Sequence, residues 1–290
     1  MTNKLILGTV QLGLNYGINN TNGKPSLAMA FKILSTAWDK GIRILDTAEA
    51  YGNSQEVIGE FHKANPDKIF KIITKLSPNT SIKQEDLLAH LKTNLKLLHV
   101  TSFHGYMFHS FKSYDDGKLL YETLNKAKDL GLIKRLGVSL HSNTELEKVL
   151  ENQNIKLIQL PFNLLDNHSK RAALLIKAKS LNVEVHTRSV FLQGLFFKSP
   201  NDILSSLEGF ITPLNELSKL KESYGLKTEV LCLQYALQKD YIDNVLIGVD
   251  NVEQLINNIN ICNNVVKIPT HNIDKIDVKN ELLLNPANWK

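Results

Sequence analysis

The chain has 290 residues, 43% of them hydrophobic and 22% charged, a composition able to bury a sizeable core. Its 34 basic and 29 acidic residues leave a formal charge of +5, spread without the basic stripe and interleaved aromatics of a nucleic-acid binder, so nucleic acid is not an expected partner. Two cysteines without metal-type spacing, no apolar run long enough for a bilayer, and an N-terminus (MTNKLILGTVQ) without a signal-peptide core lead us to expect a cytoplasmic protein with free thiols.

In chain order, short apolar runs alternate with longer amphipathic stretches. KLILGT (4–9) reads as a strand, followed by a polar loop and a helix at 26–41 that starts on Ser26 after Pro25. IRILDT (42–47) is the second strand, with a weaker helix at 52–63; IFKIIT (69–74) is the third, with a helix at 84–98. FHGYMFH (103–109) and a helix at 115–131 follow, then IKRLGVS (133–139) with 144–151, IKLIQL (155–160) with 169–180, and VEVHT (183–187) with 229–238. NVLIG (244–248) and a helix at 252–262 close the series. Runs rich in Ile, Leu and Val suit strands covered on both faces, and eight strand–helix units predict an α/β fold: a single (β/α)8 TIM barrel spanning 1–290. An open doubly wound sheet is the rival. The insertion at 200–223 predicts an extra helix between strands seven and eight, and the tail after 264 is expected to pack across the barrel or its mouth.

Chemistry in such a barrel collects at the carboxyl ends of the strands. The second run ends in Asp46, with Tyr51 in the loop beyond; the third ends at Lys75 and the fourth at His109. Consecutive strands are neighbours, so these side chains should share one rim. A phenol titrates at about 10 in water and is a poor acid at neutral pH. A nearby ammonium lowers that value, and a carboxylate keeps a buried ammonium charged. Asp46, Lys75 and Tyr51 thus form a device for acid–base catalysis, with His109 placed to orient a substrate oxygen. Proton delivery to a carbonyl oxygen under hydride attack is the reaction this suits.

DTAEAYG (46–52), a strand ending in TK (74–75) and a strand ending in His109 together resemble the aldo-keto reductase family, and LGTVQLG, GVSLHS, QLPFNLL, RSVFLQGL and VLIGVDNVEQLINNI extend the likeness over nearly the whole chain in order. The resemblance implies a barrel that binds NAD(H) or NADP(H) without a Rossmann fingerprint, and no GxGxxG follows any strand here. It makes Tyr51 the proton donor, tuned by Lys75 and Asp46, with His109 orienting the carbonyl. It gives Gly8 and Thr9 a first-strand contact with the cofactor, and Ser139 and Gln159 the nicotinamide carboxamide. Ser189, Leu192, Gln193 and Gly194 fall in the loop along the pyrophosphate, Gln254 and Asn258 in the segment meeting the adenosine end.

Three departures stand out. Leu140 replaces the asparagine that usually follows the serine. Arg188 stands where many members stack an aromatic ring on the nicotinamide; a guanidinium either stacks there, holds an anionic group of cofactor or substrate, or pairs with a nearby carboxylate. Gln254, with Asp250 nearby, replaces the basic residue of many NADP-preferring members, so NADH is expected to serve at least as well as NADPH. The asparagine-rich first loop (11–26) brings Tyr16 and several amides toward the mouth, which suits a sugar-derived carbonyl, a substrate seen in a bacterial branch the sequence also resembles. Two other classes compete. A metal-dependent barrel hydrolase would draw on His104, His109, His141 and His186, but His104 and His109 are an odd number apart and face opposite sides of a strand. A nucleotide-binding regulatory protein with little turnover is the other. No helix shows an interface stripe, so a monomer is the default.

Overall fold

In the computed structural model the described residues are 4–17, 20, 23–78, 81–199 and 202–289. Eight parallel strands close into a barrel in sequence order: β1 (Leu5–Gly8), β2 (Ile44–Asp46), β3 (Lys71–Leu76), β4 (Gly105–Phe108), β5 (Leu136–Ser139), β6 (Ile155–Pro161), β7 (Glu184–Arg188) and β8 (Asn244–Ile247), with β8 pairing back onto β1. Closure settles the choice against the open sheet. A strand's side chains alternate between its two faces. One parity fills the barrel interior with a small layer of Ile6, Ile73, Met107 and Leu157, against which Ile44 and Leu246 pack. The other parity (Leu5, Leu7, Leu45, Ile72, Tyr106, Phe108) faces the surrounding helices in the large outer core.

Those helices are α1 (Val10–Gly13), α2 (Leu27–Asp39), α3 (Ser54–Ala64), α4 (Leu87–Leu97), α5 (Phe111–Asp116), α6 (Tyr121–Asp129), α7 (Asn143–Leu150), α8 (His168–Ser180), α9 (Ile211–Ser223), α10 (Thr228–Leu237), α11 (Val252–Asn263) and α12 (Thr270–Ile273). The Ser26 side chain caps α2 by accepting from Met29 N, as its place after Pro25 predicts. The single helix expected at 115–131 is instead α5, a 3₁₀ turn at Gly117–Leu120, and α6. Ser110 and Ser113 form a reciprocal capping box that starts α5 directly after His109, and Gly117 interrupts it. The insertion holds α9, as expected from its sequence. The cysteines lie in α10 and α11, buried and unpaired.

The tail after α11 is tied to the barrel by side-chain donors. Asn167 Nδ2 donates to Ile273 O and Ile276 O, both at 3.1 Å, and Tyr235 donates its hydroxyl to Asp274. Trp289 packs edge-on against Phe210, and its Nε1 donates to Leu283 O at 2.7 Å. These ties deliver Asn285, Pro286 and Ala287 to the mouth of a cavity at the carboxyl end of the barrel.

At the opposite end, Glu184 closes the barrel. Arg135 Nε and His186 Nε2 both reach it at 2.7 Å, and His104 Nε2 stands at 3.5 Å. Burial alone would raise this carboxyl; the two neighbouring histidines and the Arg135 charge hold it well below the usual range. His104 and His109 therefore sit at opposite ends of β4. Among the described residues no helix is long and apolar enough to cross a membrane, and no three His, Cys, Asp or Glu side chains converge as a metal site.

Candidate active site

Strand parity builds the site. Residues two beyond the interior layer point to the same axis, one step higher. Ile44 leads to Asp46, Ile73 to Lys75, Met107 to His109 and Leu157 to Gln159. Lys75, His109, Gln159, Ser139 and Arg188 line a cavity of about 880 Å³, and Asp46 lies just beneath. That volume is in the usual range for cofactor and substrate clefts.

Lys75 and Asp46 are both almost fully buried, with Nζ 2.6 Å from Oδ1. Lys75 Nζ also donates to Thr47 O at 3.1 Å, and Gln159 Nε2 donates to Asp46 Oδ2 at 2.7 Å. Both carboxylate oxygens are thus engaged. Burial works to strip Lys75 of its proton, but Asp46 and the Tyr51 phenol outweigh it, and the ammonium's pKa is raised. The Lys75 ammonium lies 5.2 Å from the centre of the Tyr51 ring, which meets the His109 ring edge to face at 5.9 Å.

The phenol departs from the sequence expectation. Burial raises Tyr51 above its ordinary value, Lys75 pulls it down, and Asp46 pushes it up. The lysine's pull is present, but desolvation outweighs it, so Tyr51 holds its proton. Burial first and the Lys75 charge second bring His109 down to about 4. The imidazole is neutral at pH 7, and its Nδ1 is buried without a hydrogen-bond partner among the described residues. Such an atom is the demand a polar ligand meets.

Tyr51 is placed by its neighbours in DTAEAYG. Gly52 adopts φ +54°, and a Cβ there would stand 2.4 Å from Gly13 O. A Cβ on Gly13 would in turn stand 1.8 Å from Tyr51 O, so the turn carrying the phenol lies directly on α1. Glu49 fixes the other side. Its Oε1 accepts from Tyr106 Oη at 2.8 Å, Asn94 Nδ2 at 2.9 Å and His90 Nε2 at 3.0 Å, and its Oε2 accepts from Ser77 N at 3.0 Å. This buried clamp went unread in the sequence, though Glu49 stands inside the motif.

Of the other sequence candidates, Gly8, Ser139, Gln159, Arg188, Ser189, Gln193, Gly194, Gln254 and Asn258 line the cavity. Thr9 and Leu192 do not. Thr9 is buried behind β1, its Oγ1 donating to Asp46 O at 2.9 Å and accepting from Ser54 Oγ at 2.8 Å. Leu192 is a core side chain in the loop after β7. That loop is strained: Ser189, Leu192 and Gln193 all adopt left-handed φ, between 47° and 60°. Gln193 Nε2 donates to Tyr16 Oη at 3.1 Å, joining the loop after β7 to the first loop over the cavity. Tyr16, Gly17 and Asn20 of that first loop line the wall, while 18, 19, 21 and 22 lie outside the described residues. Sequence reasoning missed Gln11, His141, Phe191, Phe197, Glu229, Asn257 and the tail residues as cavity lining. Gln11 and His141 stood next to recognised strand ends, and Phe191 and Asn257 within recognised segments; Phe197, Glu229 and the tail residues reach the cavity from elements whose placement no local pattern encodes.

At the end formed by the loop after β8 and the start of α10, the lining charges are Asp250 and Glu229. Gln254 is tied to Asp250, its Oε1 accepting from Asp250 N at 2.8 Å. The cations of the lining, Lys75 and Arg188, are at the other end.

Residues 4–281 match the Aldo/keto reductase family. The chain is an aldo/keto reductase. Relatives of the reductase include an uncharacterised oxidoreductase, YqkF, of Bacillus subtilis (24% identical, covering 81% of this chain and 82% of that one) and pyridoxal 4-dehydrogenase of Microbacterium luteolum (22% identical, 87% of each). Solved structures sharing the fold include the holo form of an aldo-keto reductase from Bacillus halodurans (TM-score 0.76, 20% identical, 94% of this chain and 91% of that one) and a glycerol dehydrogenase from Gluconobacter oxydans (TM-score 0.70, 21% identical, 91% and 88%). The reductase is thus an NAD(P)-dependent oxidoreductase acting between carbonyl and alcohol.

Proposed function

We propose that this reductase delivers a proton from Tyr51 to the carbonyl oxygen of its substrate. The observation that carries the reading is the buried Lys75–Asp46 pair beside a phenol that stays protonated. The nicotinamide, when bound, supplies the hydride. Lys75 stays cationic because Asp46 holds it, and that charge steadies the phenolate left when the proton departs. Gln159 locks Asp46 by donating to its second oxygen. Neutral His109 offers a ring N–H to the same substrate oxygen without competing as an acid. The residues present fit a dinucleotide: the unpartnered His109 Nδ1, the Ser139 and Gln159 side chains at the strand ends, and the polar length of cavity leading to Gln254 and Asn258.

NADH serves at least as well as NADPH in this reading. A 2′-phosphate needs a cation, and the far end of the cavity offers Glu229 and Asp250 among the described residues. The hydroxyl and amides of Tyr16, Asn20, Gln193 and Asn285 at the mouth favour a small polyhydroxylated carbonyl, sugar-derived in type.

The test is a fluorescence titration with NADH and NADPH on the native chain and on Tyr51→Phe, followed in the same samples by reduction of a carbonyl panel. Tyr51→Phe is expected to bind NADH within about threefold of the native value while kcat falls by roughly 10²–10⁴-fold. A Tyr51→Phe enzyme that keeps its turnover, or a native chain that binds neither nucleotide, sinks the reading. NADPH bound more than tenfold tighter than NADH sinks the cofactor preference alone. A panel in which aromatic aldehydes react well and keto-sugars not at all sinks the sugar assignment.

A further inference from the structure

Arg188 ends β7 on the wall of the cavity, and among the described residues no carboxylate comes within ion-pair distance of it. Asp46 is taken up by Lys75 and Gln159, and Asp166 is held by Arg171 through Nε at 2.6 Å and Nη2 at 2.7 Å. Among the described residues Arg188 forms no ion pair, which removes the carboxylate-pairing alternative left open by the sequence. Its contacts are neutral. Nη2 donates to Leu140 O at 3.1 Å and stands 3.1 Å from the His141 ring nitrogens, and Nη1 reaches Ser189 Oγ at 3.4 Å. His141 is neutral too, brought down to about 4 by burial and then by Arg188 itself.

A half-buried guanidinium with only neutral partners is an unusual expense, because an uncompensated charge loses water without gaining an opposite charge. Nη2 is held in place by Leu140 O and the His141 ring, while among the described residues Nη1 has only the long contact to Ser189 and Nε none, in a side chain that lines the cavity. Lys75 is neutralised by Asp46, and His109 and His141 are neutral, so the reactive end carries one net positive charge, that of Arg188. A clamped guanidinium with free donors is pre-organised for an oxyanion, since its planar fork matches carboxylate and phosphate oxygens.

We propose that Arg188 recognises an oxyanion on the substrate, so that the enzyme acts on carbonyl compounds that also carry a carboxylate or a phosphate. This rests on the reductase reading of Tyr51 and narrows its substrate class. The Leu140 carbonyl and His141 are positioning groups that hold the fork in place on the cavity wall.

The experiment compares matched pairs of carbonyl compounds with NADH: 4-oxobutanoate against 4-oxobutanamide, and glyceraldehyde 3-phosphate against glyceraldehyde. The readout is the ratio of kcat/KM for the charged member to that for the neutral one. The native enzyme is expected to favour the charged member of at least one pair by on the order of 30-fold, and Arg188→Ala to bring that ratio to about one. Arg188→Lys is expected to recover part of it, because a point charge replaces the fork. The pair with the larger ratio identifies carboxylate or phosphate as the source. A native ratio near one, or a ratio that survives Arg188→Ala, overturns the proposal. So does an Arg188→Ala enzyme that loses both members of a pair equally along with NADH affinity, since the guanidinium then serves the cofactor.

Calorimetric titration of the NADH-loaded protein with succinate and with inorganic phosphate, neither of which carries a reducible carbonyl, separates the two readings. One of these anions is expected to bind the native chain and Tyr51→Phe alike and to be lost in Arg188→Ala and weakened in Arg188→Lys. That pattern with no carbonyl turnover places the failure in the Tyr51 reading and leaves the anion site standing. Absence of binding to the native chain overturns the anion site whatever the turnover.

Discussion

Lys75 keeps its charge through almost complete burial because Asp46 meets it at 2.6 Å, and the same desolvation that Asp46 offsets for the ammonium keeps the Tyr51 phenol protonated. Environment therefore separates the three groups: a fixed cation, a protonated phenol and a neutral imidazole. His109 and His141 are both brought down to about 4, chiefly by burial. Each ring binds a proton less readily in the folded chain than in the unfolded one, where histidine titrates at about 6.5. As pH falls from about 6.5 toward 4 the unfolded state takes up protons first, so stability is full above that window and declines through it. The denaturant midpoint is expected to fall between pH 7 and pH 5. In His141→Gln, which has no ring to titrate, the slope flattens by at most about 2 kcal/mol over pH 6.5 to 5. An unchanged slope in that variant rejects the assignment.

At the scale of elements, the turn between β2 and α3 is a precision mount. It rests on α1 through the Gly13–Gly52 contact and is pinned to β3, β4 and α4 by Glu49. Gly13→Ala puts a methyl 1.8 Å from Tyr51 O, against backbone that has no rotamer to yield, so the turn must move by more than 1 Å. A misplacement of about that size costs on the order of 100-fold in rate. Steady-state kinetics should show kcat for Gly13→Ala falling by that order, with NADH affinity by titration changing much less. If kcat holds, the close approach does not position Tyr51. The strained loop after β7 is a second such element: Ser189, Leu192 and Gln193 share left-handed backbone that non-glycine residues adopt at a cost of order 1–3 kcal/mol each. It is held by the Gln193–Tyr16 hydrogen bond and by Leu192 in the core.

Across the whole molecule the cavity is polarised along its length, cations at the strand ends and carboxylates toward α10 and α11. The overall charge of +5 says nothing of this, since it averages a surface on which both signs mix. In the proposed reading, where Gln254 meets the adenosine end of the cofactor, Gln254→Arg places a cation there beside Asp250. It is expected to tighten NADPH by about tenfold with NADH changed by less than about threefold, as one charge-assisted hydrogen bond near the surface allows. Titration of both cofactors checks it; an NADPH affinity that stays put means the 2′-phosphate lies elsewhere.

Alternation of apolar runs and amphipathic stretches was enough to predict eight strands and a helix within the insertion at 200–223, because strands covered on both faces read as mostly Ile, Leu and Val. Asp46, Lys75 and His109 stood out in the sequence as ionisable residues ending apolar runs, with Tyr51 in the loop beyond the first of them. The sequence alone did not say whether Arg188 meets a carboxylate, that Gln159 locks Asp46, that Thr9 and Leu192 turn away from the cavity, or that Tyr51 is raised and not lowered. Each depends on which groups, from positions up to 113 residues apart in the case of Asp46 and Gln159, end within a few ångströms and how much water they exclude. Chain order sets the strands and their sequence around the barrel; partner choice and desolvation exist only once the barrel has closed.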